Sequence, residues 1–173
     1  MVDRGRGTDR LHFHYKSLPR WTQDGKITYV KKPVIEVTFR KFSEVKSPEN
    51  REMRMNALID SGADWSFIPR EIATALHLDI DQADEKILTI AGHTNVYTSK
   101  VYVEIPRFGK LPVSVGMVNV HVMPHEVDNM QVPHFIILGR KDFFEKFEIT
   151  INESAQYVVL KDIHKDQSKK TRF

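Results

Sequence analysis

Apolar and polar residues alternate along much of the chain, and the period of that alternation changes in two places. From Lys26 the segments "KITYV" and "PVIEVTFRKF" switch character at every residue, which predicts half-buried strands. "KSPENRE" gathers turn formers. "MRMNALID" starts in alternation and becomes wholly apolar from Ala57 to Ile59, so its end is expected to be buried. "SGADW" reads as a turn. In "PREIATALHL" the spacing of Ile72, Ala73 and Leu76 predicts a short amphipathic helix, with Pro69 at its first position. Strands then return. "KILTIAGHTNVYTSKVYVEIP" predicts two long strands joined around "AGHTN", and "KLPVSVGMVNVHVMP" predicts a further pair or one bent strand. "HFIILG" is a second wholly apolar strand ending in glycine, "RKDFFEKF" reads as a second short helix, and "EITINESAQYVVLKD" predicts a closing hairpin turning at "NESA".

The expected fold class is therefore all-β, mainly strands with two short helices, each directly after a buried strand. Residues 1–25 are polar, basic and weakly patterned and are expected to be an arm. Residues 26–162 form the expected domain, and residues 163–173 a basic tail. No internal repeat is visible.

Composition narrows the possibilities. At 173 residues with 40% apolar content, the chain can bury one real core. There is no cysteine, which excludes disulfides, thiolate metal sites and a cysteine nucleophile. The N-terminal basic residues have no apolar run behind them, and no stretch has the length of a bilayer span, so a cytoplasmic protein without membrane contact is expected. The formal net charge is only +3, from 26 basic and 23 acidic residues, with the surplus concentrated at the two ends. Nucleic acid is accordingly not expected as a partner, and a role for the basic ends in such binding is a minor reading.

The feature that asks for an explanation is Asp60. A carboxylate at the end of an apolar strand is costly unless something uses or compensates it. The bland reading is a turn cap, since Asp and Ser are ordinary turn residues. A histidine set, His121, His125 and His134 with Glu126, raises a metal site. Four-residue histidine spacing suits zinc only on a helix face, however, and Pro124 and the β pattern argue against a helix there, so no metal and no cofactor are expected. Phe143, Phe144 and Phe147 have the spacing of core residues, and Trp65 and Phe67 are expected to pack beneath the Asp60 turn.

Two segments together carry a family likeness. "LIDSGADWSFIP" resembles the active-site segment of retropepsin-like aspartic proteases, and "FIILGRKDFFEKFEITIN" resembles their second signature, in the same order and with a hairpin between them. The likeness covers roughly residues 30 to 161. Only one Asp-Ser-Gly triplet is present, so the chain is similar to the single-lobe form, in which two identical chains each lend an aspartate at a two-fold axis. The resemblance implies a retropepsin-like barrel, one lobe per chain, active as a homodimer on a peptide or protein substrate. It implies that Asp60 is catalytic and that Ser61, Gly62 and Ala63 support the active-site loop. Gly62 would allow the turn that a Cβ obstructs, and Ser61 would reach across the axis. Asp64 and Arg140 would form a bidentate ion pair near the subunit contact, and Gly139 would let the second apolar strand pass close to the loop.

The same likeness makes residues 90 to 98 a flap with Ala91, Gly92, His93, Thr94 and Asn95 at or near the tip, poorer in glycine than the flaps of viral relatives. The expected activity is hydrolysis of peptide bonds by water activated between two symmetry-related aspartates. The alternative is a weak or inactive dimer that holds extended peptides by strand addition.

Overall fold

The structure is a computed structural model that describes residues 10–41, 52–80, 85–89, 92–123 and 136–163. The chain divides into two compact units, residues 35–143 and residues 1–34 with 144–173.

The larger unit is built on strands β4 (Val34–Lys41), β5 (Glu52–Ile59), β6 (Ser66–Pro69), β7 (Glu85–Thr89), β8 (Gly92–Arg107), β9 (Lys110–Met123) and β10 (Ile136–Leu138). They hydrogen-bond in the order β4-β5-β10-β6-β9-β8-β7, and β4 also pairs with β8, which closes six of them into a barrel. Closure removes the free edges that an open sheet would present. The wholly apolar segments lie at the centre of this arrangement. Strand β10 runs parallel to β5, with Ile136 opposite Ala57 and Leu138 opposite Ile59, and Ile137 pairs antiparallel with Phe67 of β6. Ile136 and Leu138 point into the core and are buried, while Ile137 on the other face is half-buried, so all three positions of "IIL" are apolar.

Strand β9 answers the question left open by its sequence. It is one strand with a bulge. The residue pairing with β8 shifts between Val103 opposite Gly116 and Glu104 opposite Ser114. The inward set changes phase there, from Val113 and Val115 to Val118, Val120 and Val122, all buried. Gly116 adopts φ +90, a conformation that side chains oppose, so glycine is what lets the strand take up the extra residue. Facing these residues are Val101, Val103 and Ile105 of β8 and Val37 and Phe39 of β4, each fully buried.

Among the described residues only one α-helix forms, α1 (Arg70–Ala75), so the expectation of two is corrected. Pro69 is its N-cap, in extended conformation with ψ 148, and not the first helical residue. The helix ends where His77 turns to φ 54 and the Leu78 N–H reaches back to the Ala73 carbonyl at 2.9 Å. The segment read as a second helix makes a turn at 140–143 and then a single 3₁₀ turn, Phe144–Lys146. Asp142 has φ 65, which a right-handed helix cannot contain. Its carboxylate is held by Asn119, through the backbone N–H at 3.0 Å and the side-chain amide at 2.8 Å.

The smaller unit holds β1 (Arg10–His14), β2 (Lys16–Trp21), β3 (Ile27–Lys32), β11 (Phe147–Asn152) and β12 (Tyr157–Asp162). Strands β11 and β12 form the expected closing hairpin. Its turn is fastened by the Asn152 side-chain oxygen, which accepts from the Ala155 N–H at 2.8 Å. Strand β1 adds to β12, giving the order β1-β12-β11, and β2 pairs with β3. Residues 10–14 and 16–21 are thus strand, and the reading of residues 1–25 as an arm does not hold for them. The period-two pattern of Leu11, Phe13 and Tyr15 against exposed His12 and His14 was present but hidden among basic neighbours. Tyr15 is buried at 9% exposure, and its hydroxyl donates to the Glu153 carboxylate at 2.9 Å. Burial, followed by the neighbouring Glu153, pushes the Tyr15 pKa up to about 12.

Candidate active site

Where β5 ends, its parallel partner β10 ends beside it, and the chain leaves both strands in loops that are stitched together. The Asp60 N–H donates to the Leu138 carbonyl at 3.1 Å. Next along the seam, the Arg140 N–H donates to the Ala63 carbonyl at 2.9 Å and the Lys141 N–H to the Asp64 carbonyl at 2.8 Å. Below them the Gly139 N–H donates to the Ser66 hydroxyl at 3.1 Å, where Ser66 is buried. Four bonds across two loops hold the backbone under Asp60, each adding to the cost of parting them.

Gly139 is required by this approach. A Cβ on it would lie 2.2 Å from the Trp65 carbonyl oxygen and 2.4 Å from the Trp65 carbonyl carbon. No real contact is that short, so any side chain here would part the two loops.

The Asp60 carboxylate is half-buried at the loop's surface. One oxygen accepts the Gly62 N–H at 2.8 Å, and the Ala63 N–H donates to the Asp60 carbonyl at 3.3 Å. An amide donor orients the carboxylate. Gly62 does not have a left-handed φ, and a Cβ there would meet only the Asp60 oxygen at 3.2 Å. Its role is close approach to the carboxylate rather than the special turn expected of it. Ser61 and Gly62 are exposed and Ala63 is half-buried, so the loop presents its small residues outward.

Asp64 and Arg140 do meet. The guanidinium donates through Nε to Asp64 Oδ1 at 3.1 Å and through Nη2 to the same oxygen. Both bonds converge on one oxygen, which corrects the expected bidentate arrangement. Each side chain is 61% exposed. The Arg140 hydrogen bonds and charge, helped by Lys141, hold the Asp64 carboxyl below the usual carboxylate range.

Sequence reasoning passed over three neighbours. Ser66 supplies the buried acceptor for Gly139. Lys141 places its ammonium 3.4 Å from the Trp65 ring centroid, a cation–π contact beside the Asp60 loop. Asp142 anchors the turn to β9 through Asn119. The one available signal was Ser66, a polar residue inside a buried run. Trp65 and Phe67 pack against the buried His121 ring at 4.7 and 5.6 Å between centroids. His125, Glu126 and His134 lie outside the described residues.

The hairpin between the two motifs is β7–β8, and its tip is displaced from where the sequence put it. Gly92, His93, Thr94 and Asn95 are paired strand residues, opposite Thr89, Leu88, Ile87 and Lys86. The expected tip residues His93 to Asn95 are therefore strand, and Ile90 and Ala91 lie outside the described residues. Asn and Gly near each other signalled a turn, but the β-branched residues on either side continue the ladder through them.

The family described as "Aspartyl protease" matches residues 49–141, more than half of the 173-residue chain. No curated protein sequence matches. Among solved structures, a retropepsin-like aspartic protease from Rickettsia conorii is similar at 16% identity and TM-score 0.48, covering 87% of this chain and 92% of that one. EIAV protease complexed with the inhibitor HBY-793 is similar at 18% identity and TM-score 0.42, covering 66% and 88%. The retroviral protease-like domain of Ddi1 from Leishmania major is similar at 13% identity and TM-score 0.37, covering 70% and 83%.

Proposed function

Since the chain belongs to the aspartyl protease family, we propose that it is an endopeptidase that works as a pair of identical chains, with Asp60 of each copy meeting at a two-fold axis. The supporting observation is the Asp60 loop itself. It is the sequence's single Asp-Ser-Gly triplet, it lies inside the matched residues, and its carboxylate is oriented by the Gly62 N–H at a surface of small residues. One carboxylate per chain is half of the machinery that this chemistry needs, and isologous pairing supplies the other half.

Two such carboxyl groups in proximity cannot both stay ionised, so they hold one proton between them and titrate as a pair. The charged one removes a proton from a water lying between them, and that water's oxygen bonds to the scissile carbonyl carbon. The protonated one donates a hydrogen bond to the carbonyl oxygen and stabilises the charge developing there. Collapse of the tetrahedral species breaks the C–N bond, and the proton passes to the leaving nitrogen. In this reading the Asp64–Arg140 pair braces the loops near the subunit contact, the Ser61 hydroxyl reaches to the partner loop, and the β7–β8 hairpin closes over bound peptide.

Digestion of an unfolded protein across a pH series, with the association state measured in parallel, tests the reading. Asp60→Asn keeps the carbonyl that accepts the Gly62 N–H but removes the shared proton, so cleavage falls by about 10²–10⁴-fold while the dimer persists. Wild-type cleavage by that variant, or by a strictly monomeric protein, refutes the mechanism. Peptide binding by the wild-type dimer without cleavage at any pH favours the strand-binding alternative.

A further inference from the structure

The charged side chains around the Asp60 loop are not all used alike. Arg140 gives its guanidinium to Asp64 Oδ1, and Asn119 takes the Asp142 carboxylate. Lys141, exposed and between these two in sequence, makes no ion pair or side-chain hydrogen bond among the described residues. Asp64 feels its charge, but the Asp64 oxygen that accepts is turned to Arg140. The Lys141 ammonium instead lies 3.4 Å from the centroid of the Trp65 ring. Trp65 is half-buried and meets the buried His121 ring at 4.7 Å between centroids, so the surface under the ammonium is itself packed. A ring face holds an ammonium in place and leaves its N–H donors available.

This charge lies within reach of a peptide held at Asp60. The Lys141 N–H is tied to the Asp64 carbonyl at 2.8 Å, one step along the seam from the Arg140–Ala63 bond. From Asp60 to Asp64 the chain can span at most about 14 Å, and an extended peptide advances about 3.3 Å per residue. Between the two carboxylates the loop offers only Ser61, Gly62 and Ala63, so no large side chain stands in the way. The first large apolar side chain along the loop is Trp65, and Lys141 rests on it.

We propose that Lys141, laid on Trp65, is a specificity-determining residue that selects peptides carrying a glutamate or aspartate side chain within about four residues of the scissile bond. The proposal deepens the reading of Asp60 as half of a hydrolytic pair and rests on it. A carboxylate arriving here meets an ammonium that the ring already holds and partly shields from water. Such a pair is worth more than two exposed side chains meeting in solvent. A neutral side chain gains nothing from Lys141, and a cationic one is repelled. A polyanion such as nucleic acid would also meet the Asp60 and Asp64 carboxylates, whereas one side-chain carboxylate need not.

The test offers a library of random decapeptides to the full chain and sequences the products by mass spectrometry. The same library is offered to Asp60→Asn, and the peptides it retains are sequenced. Wild-type cuts are expected to show Glu and Asp enriched about fivefold over Gln and Asn at one position near the cut bond. The peptides retained by Asp60→Asn should show the same excess of acids. Lys141→Arg should keep the preference, Lys141→Met should abolish it, and Lys141→Glu should turn it toward Lys and Arg, with far-UV circular dichroism unchanged. For one acidic peptide the loss in Lys141→Met is expected in KM rather than in kcat, because the contact is the same before and during the reaction. Cleavage without an acid preference, or a preference that persists in folded Lys141→Met and Lys141→Glu, overturns the role of Lys141 and leaves Asp60 untouched. Retention of acidic peptides through Lys141 with no cleavage at any pH refutes hydrolysis alone. Neither cleavage nor retention overturns both.

Discussion

Replacing Gly139 by alanine adds a single methyl group at the tightest point of the site. That carbon would sit 2.2 Å from the Trp65 carbonyl oxygen and 2.9 Å from the Trp65 nitrogen. Relief needs the two loops to separate by about 1.2 Å, since ordinary contact of a Cβ begins near 3.4 Å. The obstacle is backbone, so no side-chain rotation absorbs it. The Arg140–Ala63 and Lys141–Asp64 bonds lie directly along the seam that must open, and losing both costs about 2 kcal/mol. Overpacking adds about 1–3 kcal/mol. Against this, alanine restricts the unfolded chain and returns about 0.4–1 kcal/mol. The net expectation is a loss of about 3 kcal/mol, which lowers the melting temperature by about 6–12 °C for a chain of this size. Urea unfolding followed by tryptophan fluorescence measures the loss as a shift in midpoint at unchanged slope. Proteolysis should fall further than stability does, because the loop that moves carries Asp60. A variant within about 0.5 kcal/mol of wild type would refute the claim that the loops are held in contact.

Other consequences are simpler to state. Ser66→Ala leaves the buried Gly139 N–H without its acceptor and should cost about 1–3 kcal/mol in the same unfolding assay. The Asp64 carboxyl should titrate below about pH 3.9 by carbon-detected NMR and return toward that value in Arg140→Ala. Because its folded pKa is depressed, whatever stability it contributes is present above the unfolded value and lost as pH falls through the folded one. Tyr15 behaves in the opposite sense. Its contribution is full below about pH 10 and is lost as pH rises toward about 12, so ultraviolet titration should show one tyrosinate forming late in the native protein and that late step missing in Tyr15→Leu.

The sequence by itself determined a good deal. The wholly apolar runs Ala57–Ile59 and Ile136–Leu138 announced central strands, and their residues are buried on one face and half-buried on the other. The loop residues Asp60 to Asp64, with Gly139 and Arg140, stood out as a carboxylate and small residues where apolar strands end, and these are local features of type and order. The segment "KLPVSVGMVNVHVMP" could be read as a pair of strands or one bent strand, since a bulge and a turn leave the same mark until the partner strand is known.

Tertiary structure decided what depends on partners far along the chain. The strand at Arg10–His14 exists because β12 pairs with it, and nothing near residue 12 in sequence supplies that edge. The helix expected after Gly139 gave way because Asn119, far back in β9, holds Asp142 at positive φ. His93, Thr94 and Asn95 became strand because register is set across the whole ladder and not by turn-forming residues alone. That Gly139 must be glycine follows from the Trp65 backbone beside it, a contact between segments 74 positions apart that no local pattern encodes. Short-range periodicity reflects burial, which each residue reports individually, while register and close approach are properties of pairs, and the fold alone chooses the pairs.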